Sequence, residues 1–313
     1  MRYDIIGDIH GCSETLTALL QKLGYQRTDG AFRHPDRQAV FLGDFIDRGP
    51  RQREVIGIVR PMIESAAAQA VMGNHEFNAI AYATPVPGSA SFLRAHSAKN
   101  NGQHQAFLDA YPPGTPDYVE IIEWFRTLPL WLDLGEIRVI HACWDPAAIE
   151  YLTDRTRGTR LVNPELLTDA SAEGSQAYTA IETILKGKEI PLTQGTSFYD
   201  KDGNSRQHIR VRWWDQTATT YRSAFFGPPG AASHIPEDPI DMDHLIVYSP
   251  EDPPVFLGHY WLEGSPEPLA SNIACLDYSV AKPGGKLVTY RWDGERVLTR
   301  HKYEFVEQKD HLR

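Results

Sequence analysis

Asp, Asn and His side chains occur together in four short, glycine-flanked motifs, and side chains of these types bind divalent metal ions. The motifs are Gly7-Asp8-Ile9-His10-Gly11, Gly43-Asp44-Phe45-Ile46-Asp47-Arg48-Gly49, Gly73-Asn74-His75-Glu76 and Gly258-His259. Each motif directly follows a short apolar run, and His141 ends a fifth run of this kind. In α/β proteins such positions lie where buried strands end, which is the usual place for a ligand site. The five groups therefore predict a centre for two metal ions, assembled from five strand ends.

The predicted metal ligands divide into one bridging carboxylate and a set for each ion. Two divalent ions about 4 Å apart repel each other unless they share an anionic ligand, and Asp44 is our candidate for that bridge. The other predicted ligands are, for the first ion, Asp8 and His10 and, for the second, Asn74, His141 and His259. Mixed carboxylate, amide and imidazole ligation favours Mn, with Fe or Zn as alternatives, over Ca or Mg. A water held between two such ions becomes hydroxide near neutral pH and can attack phosphorus directly.

Three residues beside these ligands predict the rest of a hydrolytic mechanism. His75 is next to a predicted ligand but free of the metals, so we expect it to protonate the leaving alkoxide. Asp47 could orient the imidazole of His75, and Arg48 could hold phosphate oxygens with its guanidinium fork. A single Asp in such a loop can also serve only to close a strand-to-helix turn. Five such groups in one chain favour the catalytic interpretation.

The elements that must position these motifs predict an α/β (α+β) fold. Strand–helix units dominate the early part, with a helix that Ser13 could cap and another that begins after Pro50. The late part is rich in strands, at residues 245–248, 255–257, 273–276, 287–292 and 297–303, and we expect these strands to run antiparallel. This order predicts two packed mixed β-sheets flanked by helices, in a single domain that spans residues 1–313.

A segment at about residues 145–249 is not required by the motifs, and we interpret it as an inserted cap packed on the catalytic body. Its pattern predicts a helix that ends at Gly187 and then a hairpin of residues 196–199 and 207–213, turned at 202–204. Residues 84–118 are rich in Pro, Gly, Ser and Asn, which predicts a lid or substrate loop.

The cap also carries basic residues on one predicted strand face. His208, Arg210 and Arg212 alternate with apolar residues, so a period of two puts them on the same side. The strip is either an ordinary solvated face or a surface that faces the metals. We expect Arg212 or, failing that, Arg210 to bind substrate as a second phosphate clamp.

Composition bounds the classes of partner. The chain has 313 residues, 42% of them apolar, which is enough for a substantial core. A net charge of −10 argues against broad nucleic-acid binding, and no apolar run reaches the length of a membrane span. The first motif follows Met1 so closely that we expect no signal peptide and a cytoplasmic location. Three widely spaced cysteines argue against a disulfide framework or a structural zinc site, and we expect Cys12 and Cys143 to be small buried residues.

The ordered motifs resemble those of the calcineurin-like metallophosphoesterases, and among them the PPP-type phosphatases, which include serine/threonine protein phosphatases and bacterial diadenosine tetraphosphatases. The resemblance covers roughly residues 3–145 and 245–300, and it implies an αββα sandwich. It also implies the ligand set given above and catalytic or phosphate-binding roles for Asp47, Arg48 and His75.

Two details refine the resemblance. Tyr260-Trp261 follows Gly258-His259 where phosphodiesterase-like relatives have Gly-His-x-His, whereas Asp47-Arg48-Gly49 and Glu76 are similar to the PPP pattern. His141-Ala142-Cys143-Trp144 stands where protein phosphatases have His-Gly-Gly followed by a second phosphate-binding arginine.

The function that follows is hydrolysis of a phosphomonoester without a covalent intermediate, with a phosphoprotein, a nucleotide or a small phosphoester as the substrate. One alternative is a dinucleoside polyphosphate hydrolase, and another is a non-catalytic phosphate-binding regulatory module.

Other residues receive structural interpretations. We expect Trp213, Trp214 and Trp261 to serve packing, and Lys186 and Lys188 to form a solvated helix end. The histidines expected at the surface or in loops are His34, His96, His104, His234, His244, His301 and His311.

Removal of divalent ions should abolish activity, and Mn should restore it better than Mg, because three imidazole ligands favour a borderline ion over a hard one. The measurement is turnover after dialysis against EDTA, with metal content determined in parallel, and then after addition of each ion. Full activity in a protein shown to be free of metal would contradict the two-metal interpretation.

Overall fold

The chain folds around strands that alternate with helices in its first half. The computed structural model describes residues 1–156, 158–161, 163–193, 195–199, 205–227, 229–241 and 245–310. In this part the strands are β1 (Tyr3–Ile6), β2 (Gln26–Thr28), β3 (Ala31–Arg33), β4 (Gln38–Phe41), β5 (Ala68–Ala70), β6 (Trp131–Asp133), β7 (Arg138–Ile140), β8 (Glu189–Pro191), β9 (Phe198–Tyr199), β10 (Ser205–Arg206), β11 (His208–Arg210), β12 (Val255–Leu257), β13 (Ile273–Cys275), β14 (Asp277–Tyr278), β15 (Lys286–Trp292) and β16 (Tyr303–Glu307).

The helices lie mostly before residue 190. They are α1 (Ser13–Leu23), α2 (Gln52–Glu64), α3 (Asn74–Ala83), α4 (Ala98–Ala110), α5 (Pro116–Arg126), α6 (Pro146–Thr153), α7 (Pro164–Ala170), α8 (Gln176–Lys186), α9 (Tyr221–Ala224) and α10 (Pro229–Ala232), with a 3-10 helix at Arg300–Lys302.

Two sheets bring the strand ends of the motifs together. The first has the order β14-β15-β1-β4-β5, with β16 added on β15, and its strands β1, β4 and β5 are parallel. The second has the order β13-β12-β7-β6, and β12 is parallel to both β7 and β13. Parallel strands present their carboxyl ends at one edge of a sheet, and ligands bind there.

The two sheets pack face to face, as predicted. One buried apolar cluster contains Ile5 and Val40 from the first sheet and Val71 directly after β5, together with Val139 and Phe256 from the second sheet. The helices cover the outer faces, with Leu16, Leu19 and Leu20 of α1 among the buried residues. The predicted fold of two packed, helix-flanked sheets is confirmed.

Helix α1 is capped from the far end of the chain. Ser13 was expected to be its cap, but Ser13 is the first helical residue and Cys12 at the N-cap supplies no side-chain acceptor. Instead, the carboxylate of Asp310 accepts hydrogen bonds from the backbone N–H groups of Glu14 and Thr15, each at 3.0 Å. These bonds satisfy donors that a helix start otherwise leaves without partners.

The strand pairing in the cap differs from the predicted hairpin. Residues 207–213 were expected to pair with 196–199, but β11 pairs with β8 and β9 pairs with β10. Ile209 lies opposite Ile190 and both are buried, so the exchange is explained by a cross-strand apolar pair. The predicted turn at 202–204 lies outside the described residues.

Three predictions for the late strands were also wrong in detail. β16 begins at Tyr303, where the sequence pattern predicted a strand at 297–303, because the chain first makes the 3-10 helix. Residues 245–248 form no strand, although Ile246 and Tyr248 are buried. β12 and β13 run parallel rather than antiparallel.

The segment interpreted as a cap packs directly on Ala142, next to His141 and just after β7. The backbone N–H of Ala142 donates to the carbonyl of Ile184 at 2.9 Å, and the indole of Trp213 donates to the carbonyl of Ala142 at 3.2 Å. Trp213 and Trp214 are buried, which confirms their predicted packing role, and the thiols of Cys12 and Cys143 are buried and free, as expected. Among the described residues, no helix has both the length and the apolar character that a membrane crossing requires.

Candidate active site

The predicted metal ligands come together at the carboxyl edge of the two sheets. The strands that precede them are β1 for Asp8 and His10, β4 for Asp44, β5 for Asn74, β7 for His141 and β12 for His259. Three of these residues have left-handed backbone angles, with φ of 46° at His10, 50° at Asp44 and 69° at His259. Residues other than glycine rarely adopt this conformation, and it is concentrated at functional sites.

Asp44 lies at the centre of the cluster. Its Oδ2 atom is 3.6 Å from Nε2 of His10 and 3.4 Å from Nε2 of His141. Two groups of donor atoms share it, one with His10 and His75 and the other with His141 and His259, and the atoms of each group lie within 4.8 Å of one another. This central position is what the predicted bridging role requires.

Asn74 and Asp8 complete the donor set around His259. Oδ1 of Asn74 is 3.1 Å from Nε2 of His141 and 2.8 Å from Nδ1 of His259. The backbone N–H of His259 donates to Oδ2 of Asp8 at 3.0 Å. The structure thus brings all the residues predicted as ligands into one cluster, and their assignment to particular ions stays a prediction.

The chemistry of these donors fits divalent cations. Oδ1 of Asp8 and Nε2 of His10 are buried and have no hydrogen-bond partner in the described part of the chain. Nδ1 of His10 lies 2.9 Å from the carbonyl of Ile46, and Nδ1 of His141 lies 2.6 Å from the carbonyl of Leu42. Since Nδ1 of His10 donates to the carbonyl of Ile46, its Nε2 presents a lone pair to the cluster. His141, whose pKa Asp44 raises, would release its Nε2 proton on binding a metal ion. Buried lone pairs without a donor are the groups that a metal ion satisfies.

The pKa shifts of the buried carboxylates and imidazoles also indicate a site for cations. Burial, and then the negative charge of Asp277, raises the pKa of Asp8. Burial is also the main cause that lowers the pKa of His10 and of His259, which favours the neutral imidazole that binds metals. A cation would therefore relieve the repulsion between the two carboxylates.

Asp44 and its closest imidazole, that of His141, shift each other's pKa in opposite directions. Burial tends to raise the pKa of Asp44, but His141 and His75 outweigh it and hold that pKa well below its usual range. Burial tends to lower the pKa of His141, but Asp44 outweighs it and raises that pKa to about 10. Asp44 is thus an anion that the protein compensates with positive charge.

Glu76 holds two of the ligand loops together by accepting backbone hydrogen bonds. Its carboxylate accepts from the N–H groups of Asp44 and Phe45, each at 2.8 Å, and from that of Gly73 at 2.9 Å. Burial raises the pKa of Glu76 to about 7, with the charge of Asp44 as a further cause. Its carboxylate therefore holds the loops that carry Asp44 and Asn74 against each other.

Two glycines are required by the close approach of ligand atoms. A Cβ atom on Gly258 would lie 2.0 Å from Oδ1 of Asp8, and one on Gly73 would lie 2.2 Å from Oδ1 of Asp44. Real Cβ atoms are not found at these distances, so any side chain would displace a carboxylate.

His75 lies beside Asp44, and both of its ring nitrogens have side-chain partners. Its Nδ1 is 2.6 Å from Oδ2 of Asp47, and its Nε2 is 3.3 Å from Nη2 of Arg48. Nε2 is also 4.0 Å from Oδ2 of Asp44. Asp47, Arg48 and His75 therefore have the geometry predicted for an orienting carboxylate, a phosphate clamp and a proton donor.

Several residues at the site had been interpreted otherwise. His104 was expected at the surface, but it is buried and its Nδ1 is 2.9 Å from Oδ1 of Asp47. Trp261 was expected to serve packing, but its ring lies 3.8 Å below the guanidinium of Arg48 and is 37% exposed. Lys186 was expected to be a solvated helix end, but it lines the cavity described next and pairs with Glu182.

These residues share a cavity of about 280 Å³ in front of His75. Its lining comprises Asp47, Arg48, Asn74, His75, Asn78, Arg94, Gln103, His104, Lys186 and Trp261. Three of them come from residues 84–118, so the segment predicted to be a lid or substrate loop does line the site.

The local sequence around His104 and Arg94 carries no signal that would have predicted their place in the site. Asp277 could have been found, because it follows an apolar run as the other site carboxylates do.

Arg210 and Arg212, which the strand pattern predicts on one face of the cap, have different partners. Nη1 of Arg210 lies 3.4 Å from Nε2 of His259, at the edge of the metal cluster. The guanidinium of Arg212 donates to the carbonyl of Ser223 at 2.6 Å. Arg210, rather than the preferred Arg212, is therefore near the predicted ligands, while His208 is exposed.

Comparison with known proteins agrees with this geometry. Residues 1–171 match the family model described as calcineurin-like phosphoesterase. The chain is 49% identical over 76 residues to the bis(5'-nucleosyl)-tetraphosphatase (asymmetrical) PrpE of Halalkalibacterium halodurans, which is 24% of this chain and 31% of that protein. It is 34% identical over 149 residues to the PrpE of Geobacillus thermodenitrificans, or 45% of this chain and 57% of that protein. The chain thus spans less than two thirds of each relative.

A solved structure supports the fold over the whole chain. A protein serine/threonine phosphatase from Saccharomyces cerevisiae superposes with a TM-score of 0.52 at 16% identity, covering 99% of this chain and 81% of that one. Identity this low carries information about the fold alone.

Replacement of Gly258 by Ala should lower the bound metal content, because the new Cβ would displace the Asp8 carboxylate. The measurement is the metal-to-protein ratio after equilibration with Mn. Gly57→Ala is the matched control, since a Cβ there meets nothing within 4 Å. Equal metal content in the two variants would contradict the assignment of Asp8 as a ligand.

Proposed function

Because the chain belongs to the calcineurin-like phosphoesterase family, we propose that it hydrolyses a phosphoric ester at a centre holding two divalent ions, most readily Mn. The observation that carries this proposal is the position of His75, whose Nδ1 is 2.6 Å from Oδ2 of Asp47 and whose Nε2 is 4.0 Å from Oδ2 of Asp44. A proton donor at this place serves a leaving group and has no use in a module that only binds phosphate. The non-catalytic alternative therefore loses its support. A cytoplasmic location stays a prediction from the sequence.

The roles follow from the contacts. Ions bound by the donor cluster would supply an activated water and neutralise the developing charge on the phosphoryl group. His75 would give its Nε2 proton to the leaving oxygen, and Asp47 holds the opposite side of the ring in the required tautomer. Arg48 stacks on Trp261 at 3.8 Å, and its Nη2 lies 3.3 Å from Nε2 of His75, so its other N–H groups would hold phosphate oxygens.

The cavity favours a substrate with several phosphates, such as a dinucleoside polyphosphate. It is lined by two cations beyond Arg48, namely Arg94 and Lys186. The guanidinium of Arg94 donates to amide oxygens of Asn78 at 2.9 Å and Gln103 at 3.1 Å, which carry no net charge. Burial lowers the pKa of Arg94, although Asp47 and Glu182 act in the opposite direction. An anion beside Arg94 would offset that unfavourable burial of charge.

A phosphomonoester, predicted first from the sequence, is the second candidate. It is favoured by the direct contact of Arg48 with His75, because these two residues and the ions suffice for a single phosphate. Initial rates on diadenosine tetraphosphate, a phosphopeptide and 4-nitrophenyl phosphate separate the two candidates. Preference for the phosphopeptide would make a phosphomonoester the first candidate substrate. If the metal-loaded protein turned over none of the three compounds, that result would count against the proposed function.

Replacement of His75 by Asn should lower kcat on an alkyl phosphate by about two to four orders of magnitude, the usual contribution of a general acid. Metal content should stay near that of the wild type. The loss should shrink on 4-nitrophenyl phosphate, whose leaving group scarcely needs a proton. Equal losses on both substrates would mean that His75 does not protonate the leaving group.

Replacement of Arg94 by Ala should reduce kcat/KM for diadenosine tetraphosphate by roughly 10- to 100-fold, as expected for the loss of a charge-assisted hydrogen bond. The value for 4-nitrophenyl phosphate should change little, because one phosphate is held by Arg48. Arg126→Ala is the matched control, since Arg126 bonds Thr84 at 2.8 Å and pairs with Glu123. A parallel loss on both substrates would assign Arg94 a structural role.

A further inference from the structure

The carboxylate of Asp47 accepts hydrogen bonds from two imidazoles. The second imidazole comes from helix α4, in residues 84–118, which we call the lid segment because they were predicted to form a lid or substrate loop. Nδ1 of His104 is 2.9 Å from Oδ1 of Asp47 and 3.1 Å from Oδ2, while Nδ1 of His75 is 2.6 Å from Oδ2. His104 is in the middle of α4, 57 residues from Asp47 in sequence. The carboxylate is therefore clamped from both sides.

The protons of this group can be assigned from its chemistry. Burial raises the pKa of Asp47, but hydrogen bonds from His104 and His75 outweigh it and lower the pKa to about 2. An ionised carboxylate only accepts hydrogen bonds, so both Nδ1 atoms must carry protons. For His75 this leaves Nε2 as the atom that faces the cavity and exchanges a proton with the substrate.

The ring of His104 is held by packing rather than by a second hydrogen bond. It stacks on Phe107, with centroids 4.7 Å apart, and tilts against Tyr82 at 5.3 Å. Its Nε2 is buried and has no hydrogen-bond partner in the described residues. Burial of an imidazole with one nitrogen unsatisfied is unfavourable, so the bond to Asp47 is the polar interaction that accounts for a histidine here.

The backbone of Asp47 is also held in place, by a residue outside the lid segment. Its φ of 68° is left-handed, and its backbone N–H donates to Oε1 of Gln52 at 2.7 Å. Gln52 therefore fixes the backbone, whereas the carboxylate of Asp47 receives its hydrogen bonds, within the described part of the chain, from the two imidazoles. Without His104, Oδ1 would lose its partner and the carboxylate could turn away from His75.

We propose that His104 is a positioning residue for the general acid, because its Nδ1–H fixes the carboxylate that orients His75. The inference rests on the proposed function, since it assumes that His75 protonates the leaving oxygen. It makes the lid helix α4 part of the catalytic apparatus: displacement of α4 would release Asp47 and, through it, His75.

The test compares variants that differ in whether they keep a donor at the Nδ1 position. His104→Leu removes the donor and stays apolar against Phe107. His104→Asn places an amide N–H where Nδ1 was, and His104→Gln moves the amide away from it. The matched control is His96→Leu, because His96 belongs to the same segment and stacks on Tyr82 and Phe92 without contacting Asp47.

Steady-state kinetics of these metal-loaded variants should be measured on an alkyl phosphate and on 4-nitrophenyl phosphate. We expect His104→Leu and His104→Gln to lose about 10- to 100-fold in kcat on the alkyl phosphate, as for other misplaced catalytic groups. The loss on the nitrophenyl substrate should be much smaller, with KM little changed. His104→Asn should recover most of the activity, and His96→Leu should leave the ratio of the two rates as in the wild type.

The outcomes separate this inference from the proposed function. If His75→Asn changes the ratio of rates but the Leu and Gln variants of His104 match His96→Leu, the inference is wrong and the function stands. If His75→Asn itself leaves the ratio unchanged, the proposed general acid is wrong. Should His104→Leu fail to fold, the comparison of His104→Asn with His104→Gln decides alone, and equal ratios in those two variants would overturn the inference.

Discussion

The structure depends on keeping a carboxylate charged at a place where water cannot reach it. Asp44 is 1% exposed, and its neighbours Asp8 and Asp277 are 2% exposed. Buried charges are strongly unfavourable unless opposite charge and hydrogen bonds surround them. The chain meets this demand with imidazoles around Asp44 and with the backbone contacts that Glu76 organises. Cations in the donor cluster would complete the same compensation, so that folding and metal binding would reinforce one another.

The need to stabilise the buried charge of Asp44 also explains why the loops of the second and third motifs lie so close together. A Cβ on Gly43 would lie 2.4 Å from the backbone nitrogen of Gly73, so the second and third motifs touch through their main chains. Glu76 can accept from both loops only at this distance. The glycines of the motifs are therefore part of the electrostatic arrangement, not merely permissive turn residues, because they allow peptide N–H groups to converge on one buried acid.

Much of the fold and most of the candidate site could be predicted from the sequence because the information there is local. Each predicted ligand, such as Asp44 or His141, follows its own apolar strand, and parallel strands bring their ends to one edge. Residues whose role depends on distant contacts were interpreted wrongly. His104 reaches Asp47 across 57 residues of sequence, and neither its neighbours nor its helical period distinguish it from a surface histidine. The pairing of β11 with β8 was missed for a related reason, since a strand pattern states which face is buried but not which partner covers it.

The position of β1 in its sheet has a consequence for the order in which the molecule can form during synthesis. β1 is made before both of its neighbours in the sheet. One neighbour is β4, which follows β2 and β3, and the other is β15, whose register pairs Tyr3 with Trp292. Until residues near 290 have left the ribosome, one edge of the first strand has no partner, and the donors at the start of α1 must wait for Asp310. An unpaired edge beside an apolar sheet is prone to aggregate. The nascent chain therefore carries its first motif, with the predicted ligands Asp8 and His10, beside an unprotected strand edge until β15 has been made.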